Sequence, residues 1–125
     1  MKKVLITGAN GFVGEAVLKA LIKENHVEIH ALSRKVGEGK TKVFFHECDL
    51  MDYSHINNLI DNIKPDYLIH LAWNVEHSTY LDSSENLSWV GASLNLLKCF
   101  AENGGKRVFM CGTCFEQIDP FLCMR

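Results

Sequence analysis

The sequence predicts an α/β fold built on a parallel sheet. Short apolar runs alternate with helical segments or loops along all 125 residues, and that alternation favours parallel pairing of strands. The run at residues 67–71 is apolar except for His70, which is typical of a central strand covered on both faces. A chain of this length can bury a real core, so we expect one domain over residues 1–125, with an irregular tail at 116–125.

Hydrophobic periodicity and turn residues predict each element in order. Strands are predicted at residues 3–7, 27–32, 42–46, 67–71 and 107–111. Helices are predicted at residues 11–23 and 83–102, and another between the capping residue Ser54 and Pro65. The first helix is expected to carry its apolar face on Val13, Ala16, Val17, Ala20 and Leu21. The third helix has two apolar stripes, and one sheet face cannot bury both. The stripes are Leu87, Val90, Leu94, Leu97 and Ala101, and Trp89, Ala92, Leu96 and Phe100.

Composition and charge exclude several classes of partner. A net charge of −2 gives no basic field for nucleic acid or anionic lipid, so we expect neither a nucleic-acid nor a membrane partner. The apolar run before Gly8 is too short for a signal peptide or a membrane span, which predicts a cytoplasmic protein. Five scattered cysteines are odd in number, and reduced thiols suit them better than a disulfide framework.

A glycine-rich turn follows the first predicted strand and opens the first helix. Gly8, Gly11 and Gly14 are spaced G-x-x-G-x-x-G, and such glycines let backbone approach a pyrophosphate that the N–H groups of the helix then attract. The pattern therefore indicates a dinucleotide site. The alternative is a turn whose glycines serve only tight packing.

The end of the second predicted strand indicates which dinucleotide. NAD-binding domains usually place Asp or Glu about twenty residues after the turn, against the ribose 2′-hydroxyl. This chain has Ser33-Arg34-Lys35 there instead, and a hydroxyl with two cations suits a 2′-phosphate. The prediction is NADP(H), with NAD as the alternative cofactor and a solvated charged loop as the alternative role for these residues.

Other chemistry-bearing residues support weaker hypotheses. His46, Cys48 and Asp49 are ligand types, but the cluster lacks the further ligands of a closed zinc site, so no metal is predicted. His70 is interpreted as a satisfied core residue rather than a catalytic base, and the other histidines form no visible constellation. Cys111 and Cys114 form a C-x-x-C, which can serve redox exchange or half a metal site. The favoured interpretation is instead that Thr113, between them, lies at the carboxyl end of the fifth strand, where open α/β sheets bind ligands.

Four motifs in order resemble the extended short-chain dehydrogenase/reductase family. They are the loop at 7–14, Cys48-Asp49-Leu50, His70-Leu71-Ala72-Trp73 and Gly112-Thr113-Cys114. The chain is similar over residues 1 to about 116 to NAD-dependent epimerases/dehydratases acting on nucleotide sugars. The resemblance implies a Rossmann-like three-layer αβα fold, with a five-stranded parallel sheet of order 3-2-1-4-5 that ends after the fifth strand.

The resemblance also implies a role for each motif. The pyrophosphate would be surrounded by Gly8, Asn10, Gly11, Phe12, Val13 and Gly14. Asp49 and Leu50 would meet the adenine, and Leu71, Ala72 and Trp73 would line the nicotinamide side. Ser33 and Arg34, with Lys35, would select the 2′-phosphate. Thr113 matches the Ser/Thr that hydrogen-bonds the reacting oxygen of the substrate.

The departures from the family limit the expected activity. Its catalytic Tyr-x-x-x-Lys is absent, because none of Tyr53, Tyr67 and Tyr80 has Lys four residues later, and Gln117 stands where relatives commonly have Tyr. The substrate-binding half is missing, so a nucleotide-sugar substrate is expected only if another chain segment completes the protein. The alternative is a non-catalytic module that binds a dinucleotide or a partner.

Self-association is also expected. The helix that packs beside residues 83–102 in full-length relatives is missing from this chain, which would expose Trp89, Leu96 and Phe100. An exposed apolar patch marks association. We therefore expect a homodimer through the 83–102 helix that buries this stripe.

Overall fold

The architecture is a five-stranded parallel sheet between two helical layers, seen in a computed structural model that describes residues 1–33, 42–72 and 85–110. The elements are β1 (Lys2–Thr7), α1 (Phe12–Ile22), β2 (Val27–Ser33), β3 (Val43–Glu47), α2 (Tyr53–Ile63), β4 (Tyr67–His70), α3 (Glu85–Glu102) and β5 (Arg107–Met110). The strand order is β3-β2-β1-β4-β5, and every adjacent pair is parallel. The predicted fold class and strand order are confirmed.

The two faces of the sheet have separate cores, because successive side chains of a strand point to opposite faces. On one face, Leu5 and Leu68 pack with side chains from α2 and α3. On the other face, Ile6 and Ile29 pack with Leu18 of α1. This arrangement is the predicted three-layer αβα order. None of the helices in the described ranges has the length and apolar character needed to cross a bilayer.

Two details of the first two helices differ from prediction. The buried face of α1 is centred on Gly14 and Leu18, while Val13, Ala16 and Ala20 are exposed, because Gly14 brings the helix backbone against the turn before it. Helix α2 is capped by Asp52 rather than Ser54. The Asp52 carboxylate accepts a hydrogen bond from the backbone N–H of His55 at 3.3 Å, so the helix begins one residue before Ser54.

Helix α3 buries the stripe that was expected to be exposed. Leu96 and Phe100 are almost completely buried in the core of this chain, and Trp89 is half-buried against it. The exposed residues belong to the other stripe, with Leu94 61% exposed and Leu87 78% exposed, while Leu97 of that stripe is partly buried against the core. The sequence interpretation was wrong here because both stripes are apolar, and contacts with α2 and the sheet decide which one faces inward.

Candidate functional site

The carboxyl ends of the strands form one edge of the sheet, and the candidate site lies there. Strand β1 has β2 on one side and β4 on the other, so the chain order reverses at β1. Open α/β sheets bind ligands in the crevice at such a point, outside the carboxyl ends of the strands. The crevice is therefore bordered by the carboxyl ends of three strands, at Thr7 in β1, Ser33 in β2 and His70 in β4.

The glycine turn packs tightly against the end of β4. Gly8 has φ +73°, and a Cβ there would lie 2.8 Å from the backbone nitrogen of Ala72 and 2.9 Å from the carbonyl carbon of Leu71. A Cβ on Gly14 would overlap the Gly8 carbonyl oxygen, whereas one on Gly11 would meet only that oxygen, at 3.4 Å. Packing therefore explains Gly8 and Gly14, but it does not explain Gly11.

The N-terminus of α1 opens directly from this turn. Gly11 is its N-cap, and no side chain caps the helix. The first N–H groups of a helix lack intrahelical acceptors, and together with the positive end of the helix dipole they form an anion site. Phe12, 93% exposed, and the exposed Val13 stand at the same end. The donors and the close backbone approach that a pyrophosphate requires are both present.

The ends of β1, β2 and β3 are joined by hydrogen bonds beside the turn. The Asn10 side-chain amide donates to the Ser33 hydroxyl at 2.6 Å, and the Ser33 carbonyl accepts from the N–H of Cys48 at 2.8 Å. Ser33 therefore lies next to the glycine turn, as a role at the ribose requires. Arg34 and Lys35 lie outside the described residues.

Asp49 and Leu50 differ in how they can meet a ligand. Asp49 is exposed, and one of its carboxylate oxygens accepts from the N–H of Met51 at 3.0 Å, which fixes the turn before α2. The Leu50 side chain is buried in the core beneath α2. A ligand at this strand end can therefore reach the Asp49 carboxylate, but only the backbone of Leu50.

A buried series of hydrogen bonds holds the end of β4 against β1. The Thr7 hydroxyl accepts from the N–H groups of Leu71 at 3.1 Å and Ala72 at 3.2 Å, and it donates to Nδ1 of His70 at 2.6 Å. Nε2 of His70 then donates to the Ser93 hydroxyl of α3 at 2.8 Å. Burial lowers the pKa of His70, so its ring is neutral at neutral pH. His70 is thus a satisfied core residue, as interpreted from the sequence.

Two functional hydroxyls were not predicted from the sequence: that of Thr7, which holds Leu71 and Ala72, and that of Ser93, which holds His70. A signal was available for Thr7, because a polar residue at the end of a buried strand requires a partner, and His70 ends the neighbouring strand. No comparable signal marks Ser93, since a serine in a helix gives no indication of the strand that it contacts.

The remaining predicted residues either lie outside the described ranges or have no arrangement there that favours thiol reactivity or metal binding. Trp73, Thr113 and the cysteines of the C-x-x-C lie outside the described ranges. Cys48 is a free thiol, and burial raises its pKa to about 11, so it stays protonated. Among the described residues, no three His, Cys, Asp or Glu side chains are grouped to hold a metal ion.

Known proteins share this architecture and sequence pattern. The chain is 32% identical over 79 residues to the probable dTDP-glucose 4,6-dehydratase of Sinorhizobium fredii, covering 56% of this chain and 23% of that protein. It is 32% identical over 114 residues to the methionine adenosyltransferase 2 subunit beta of Rattus norvegicus, covering 87% of this chain and 32% of that protein. The solved structure of the Bordetella bronchiseptica enzyme WbmH in complex with NAD+ matches with a TM-score of 0.72 and 21% identity, covering 86% and 38%.

The match to a family model is the most extensive of these similarities. The chain spans about a quarter to a third of the length of the curated relatives that it matches. A model of the NAD dependent epimerase/dehydratase family matches residues 4–117, which include the glycine turn and all of the five strands except the first two residues of β1. The chain belongs to the NAD dependent epimerase/dehydratase family.

Proposed function

We propose that this chain binds NADP(H) at the carboxyl edge of its sheet and serves as the dinucleotide-binding part of a nucleotide-sugar epimerase, dehydratase or reductase. The supporting observation is the glycine turn, where Gly8 at positive φ packs on the end of β4 and Gly11 starts a helix that no side chain caps. A bound nicotinamide dinucleotide would supply hydride transfer at its ring.

Each strand end has a distinct role in this proposal. The N–H groups at the start of α1 would hold the pyrophosphate, and the exposed side chains of Phe12 and Val13 stand at the same helix end. The Asp49 carboxylate accepts from the exocyclic amine of the adenine. Leu71 and Ala72, held by the Thr7 hydroxyl, support the nicotinamide half. Thr113 would hydrogen-bond the reacting oxygen of the substrate, in the role that the family resemblance implies.

The cofactor preference rests on charge at the end of β2. Ser33 lies beside the glycine turn. The carboxylate of this strand belongs to Glu28, five residues before Ser33, and it is bound to His30, so it does not serve the ribose. Arg34 and Lys35 follow Ser33 directly. A guanidinium can pair with two oxygens of a 2′-phosphate, which NADPH has and NADH lacks.

Replacing Arg34 with alanine is expected to weaken NADPH binding by at least about tenfold and to leave NADH binding within about twofold. A hydrogen bond to a charged group contributes about 1.5–3 kcal/mol. Arg34 can form this bond only with the 2′-phosphate, which NADPH has and NADH lacks. Calorimetric titration with both dinucleotides measures this difference. Lys42→Ala is the matched control, since it removes an exposed cation from the same connection. Tighter binding of NADH than NADPH by the unmodified chain would refute the preference.

These 125 residues alone are not proposed to catalyse the reaction of a nucleotide sugar. A general acid positioned at the reacting oxygen contributes about 10²–10⁴-fold in rate, and the chain has no Tyr-x-x-x-Lys to supply one. The chain is therefore proposed to bind the dinucleotide, with a nucleotide sugar as substrate only where further residues complete the site.

A second candidate function is a partner-binding module whose partner is a second copy of this chain, and the outer face of α3 favours it. Leu87, Val90, Leu94, Leu97 and Ala101 follow the alternating three- and four-residue spacing of a helix that packs along another helix. Leu87, Val90 and Leu94 are exposed. One relative is itself named a subunit of methionine adenosyltransferase. We propose that this stripe pairs with the same stripe of a second copy.

Replacing Leu94 with glutamate is therefore expected to convert a dimer into a monomer. A charge in the middle of this stripe would have to be desolvated in the interface. Light scattering at micromolar concentration measures the mass of both proteins. Lys98→Gln is the control, because Lys98 is exposed on α3 outside the stripe. A monomeric mass for the unmodified chain would contradict the pairing.

A further inference from the structure

Two histidines and a glutamate form a connected cluster on the sheet face that also carries α2 and α3. His30 in β2 and His46 in β3 lie on this face because His30 is in register with Phe44, two residues before His46. Nδ1 of His30 is 2.9 Å from Nε2 of His46, and Nε2 of His30 is 2.7 Å from the Glu28 carboxylate. The cluster lies outside the proposed dinucleotide site.

The hydrogen bonds define which nitrogen carries each proton. The Glu28 carboxylate can only accept, so Nε2 of His30 carries a hydrogen, and in a neutral ring its Nδ1 has a lone pair. Nε2 of His46 then donates to that lone pair. Metal-binding histidines characteristically donate the other ring nitrogen to a carboxylate, which fixes the tautomer and increases ligand basicity. His30 has this arrangement with Glu28.

The separation of the two nitrogens matches a chelate. Metal–imidazole bonds of about 2.0–2.1 Å that meet at a right angle place the two nitrogens about 2.9 Å apart, whereas a tetrahedral angle requires about 3.3 Å. The observed 2.9 Å is the length of the hydrogen bond between the rings, and the His46 ring must turn to replace that bond with an ion, so the two nitrogens are close enough for either geometry. His46 is only partly buried, and the neighbouring Phe44 is 56% exposed, so an ion can approach from this side.

We propose that His30 and His46 bind a divalent transition metal that imidazole suits, such as Ni(II), Cu(II) or Zn(II), with Glu28 orienting His30 and water filling the other positions. On binding, the hydrogen on Nε2 of His46 moves to its Nδ1 through solvent, and the His46 ring turns so that both lone pairs meet the ion. Two histidines are sufficient for a chelate of this kind, which links β2 to β3.

Calorimetric titration of the full, untagged chain with Ni(II) tests the proposal and avoids the oxidation of thiols by Cu(II). One ion is expected to bind per chain, and thermal unfolding in the presence of Ni(II) should shift upward. His46→Gln is expected to weaken binding by at least about tenfold and to abolish the thermal shift. Glu28→Gln is expected to weaken binding about 10- to 100-fold through the orientation of His30.

Two controls separate this site from other ligands of the chain. His26→Gln removes an exposed histidine outside the cluster and should leave binding unchanged. The double substitution Cys111→Ser, Cys114→Ser removes the C-x-x-C and should also leave it unchanged. Unaltered Ni(II) affinity in His46→Gln, or loss of binding in the cysteine variant, would overturn the proposal. His46→Gln is preferred to a change at the more buried His30, because a partly buried residue tolerates substitution better.

Discussion

Replacing Gly8 with alanine is expected to destabilise the chain by about 2–6 kcal/mol and to abolish dinucleotide binding. A non-glycine residue at positive φ costs about 1–3 kcal/mol, and Gly8 has φ +73°. The new Cβ would also press on the backbone of Leu71 and Ala72, and overpacking adds about 1–3 kcal/mol. Urea unfolding followed by circular dichroism measures the stability, and calorimetry with NADPH measures the binding.

Two other glycines provide matched controls. Gly104 has φ +86°, but a Cβ there would meet nothing within 4 Å, so Gly104→Ala carries the cost of the backbone conformation without the overlap. Gly11 has an ordinary φ of −78° and room for a Cβ, so Gly11→Ala should cost only about 1 kcal/mol, the usual penalty for alanine at a helix N-cap. Gly8→Ala should therefore be the least stable of the three. Equal losses for Gly8→Ala and Gly104→Ala would show that the contact with β4 does not contribute.

These glycines also show which parts of the site a sequence can predict. The turn at 8–14 is local, because its strand, glycines and helix are consecutive, and the structure has the turn where it was predicted. The sheet order follows from a resemblance spread over four strand ends, and the observed order agrees. Features that depend on a few consecutive residues, or on the order of elements, are therefore accessible from one chain.

Features that depend on register between distant segments are not accessible in this way. His30 and His46 meet only because β2 and β3 pair with a particular offset, and no spacing along the chain indicates that offset. The buried face of α3 is a similar case, since Leu94 and Leu96 are equally apolar and only packing against α2 and the sheet buries Leu96. Tertiary contacts determine both outcomes.

Replacing Thr7 with valine is expected to cost about 2–5 kcal/mol of stability and to weaken dinucleotide binding. Valine has nearly the same shape, so the change removes only the hydroxyl. The N–H of Ala72 then loses its acceptor and Nδ1 of His70 loses its donor, in a place where Thr7 is completely buried. A buried polar group without a partner costs about 1–3 kcal/mol.

Two further variants distinguish stability from positioning. Thr7→Ser keeps the hydroxyl and removes one methyl group, so it should cost only about 1 kcal/mol and leave binding unchanged. Ser93→Ala removes the hydrogen bond at Nε2 of His70, which is the far end of this series of hydrogen bonds. It should reduce stability while Leu71 and Ala72 keep their acceptor. Its NADPH affinity, measured where all variants are folded, should therefore equal that of the unmodified chain, while Thr7→Val binds more weakly. Equal affinities for Thr7→Val and Ser93→Ala would mean that the Thr7 hydroxyl stabilises the fold without positioning the end of β4 for the cofactor.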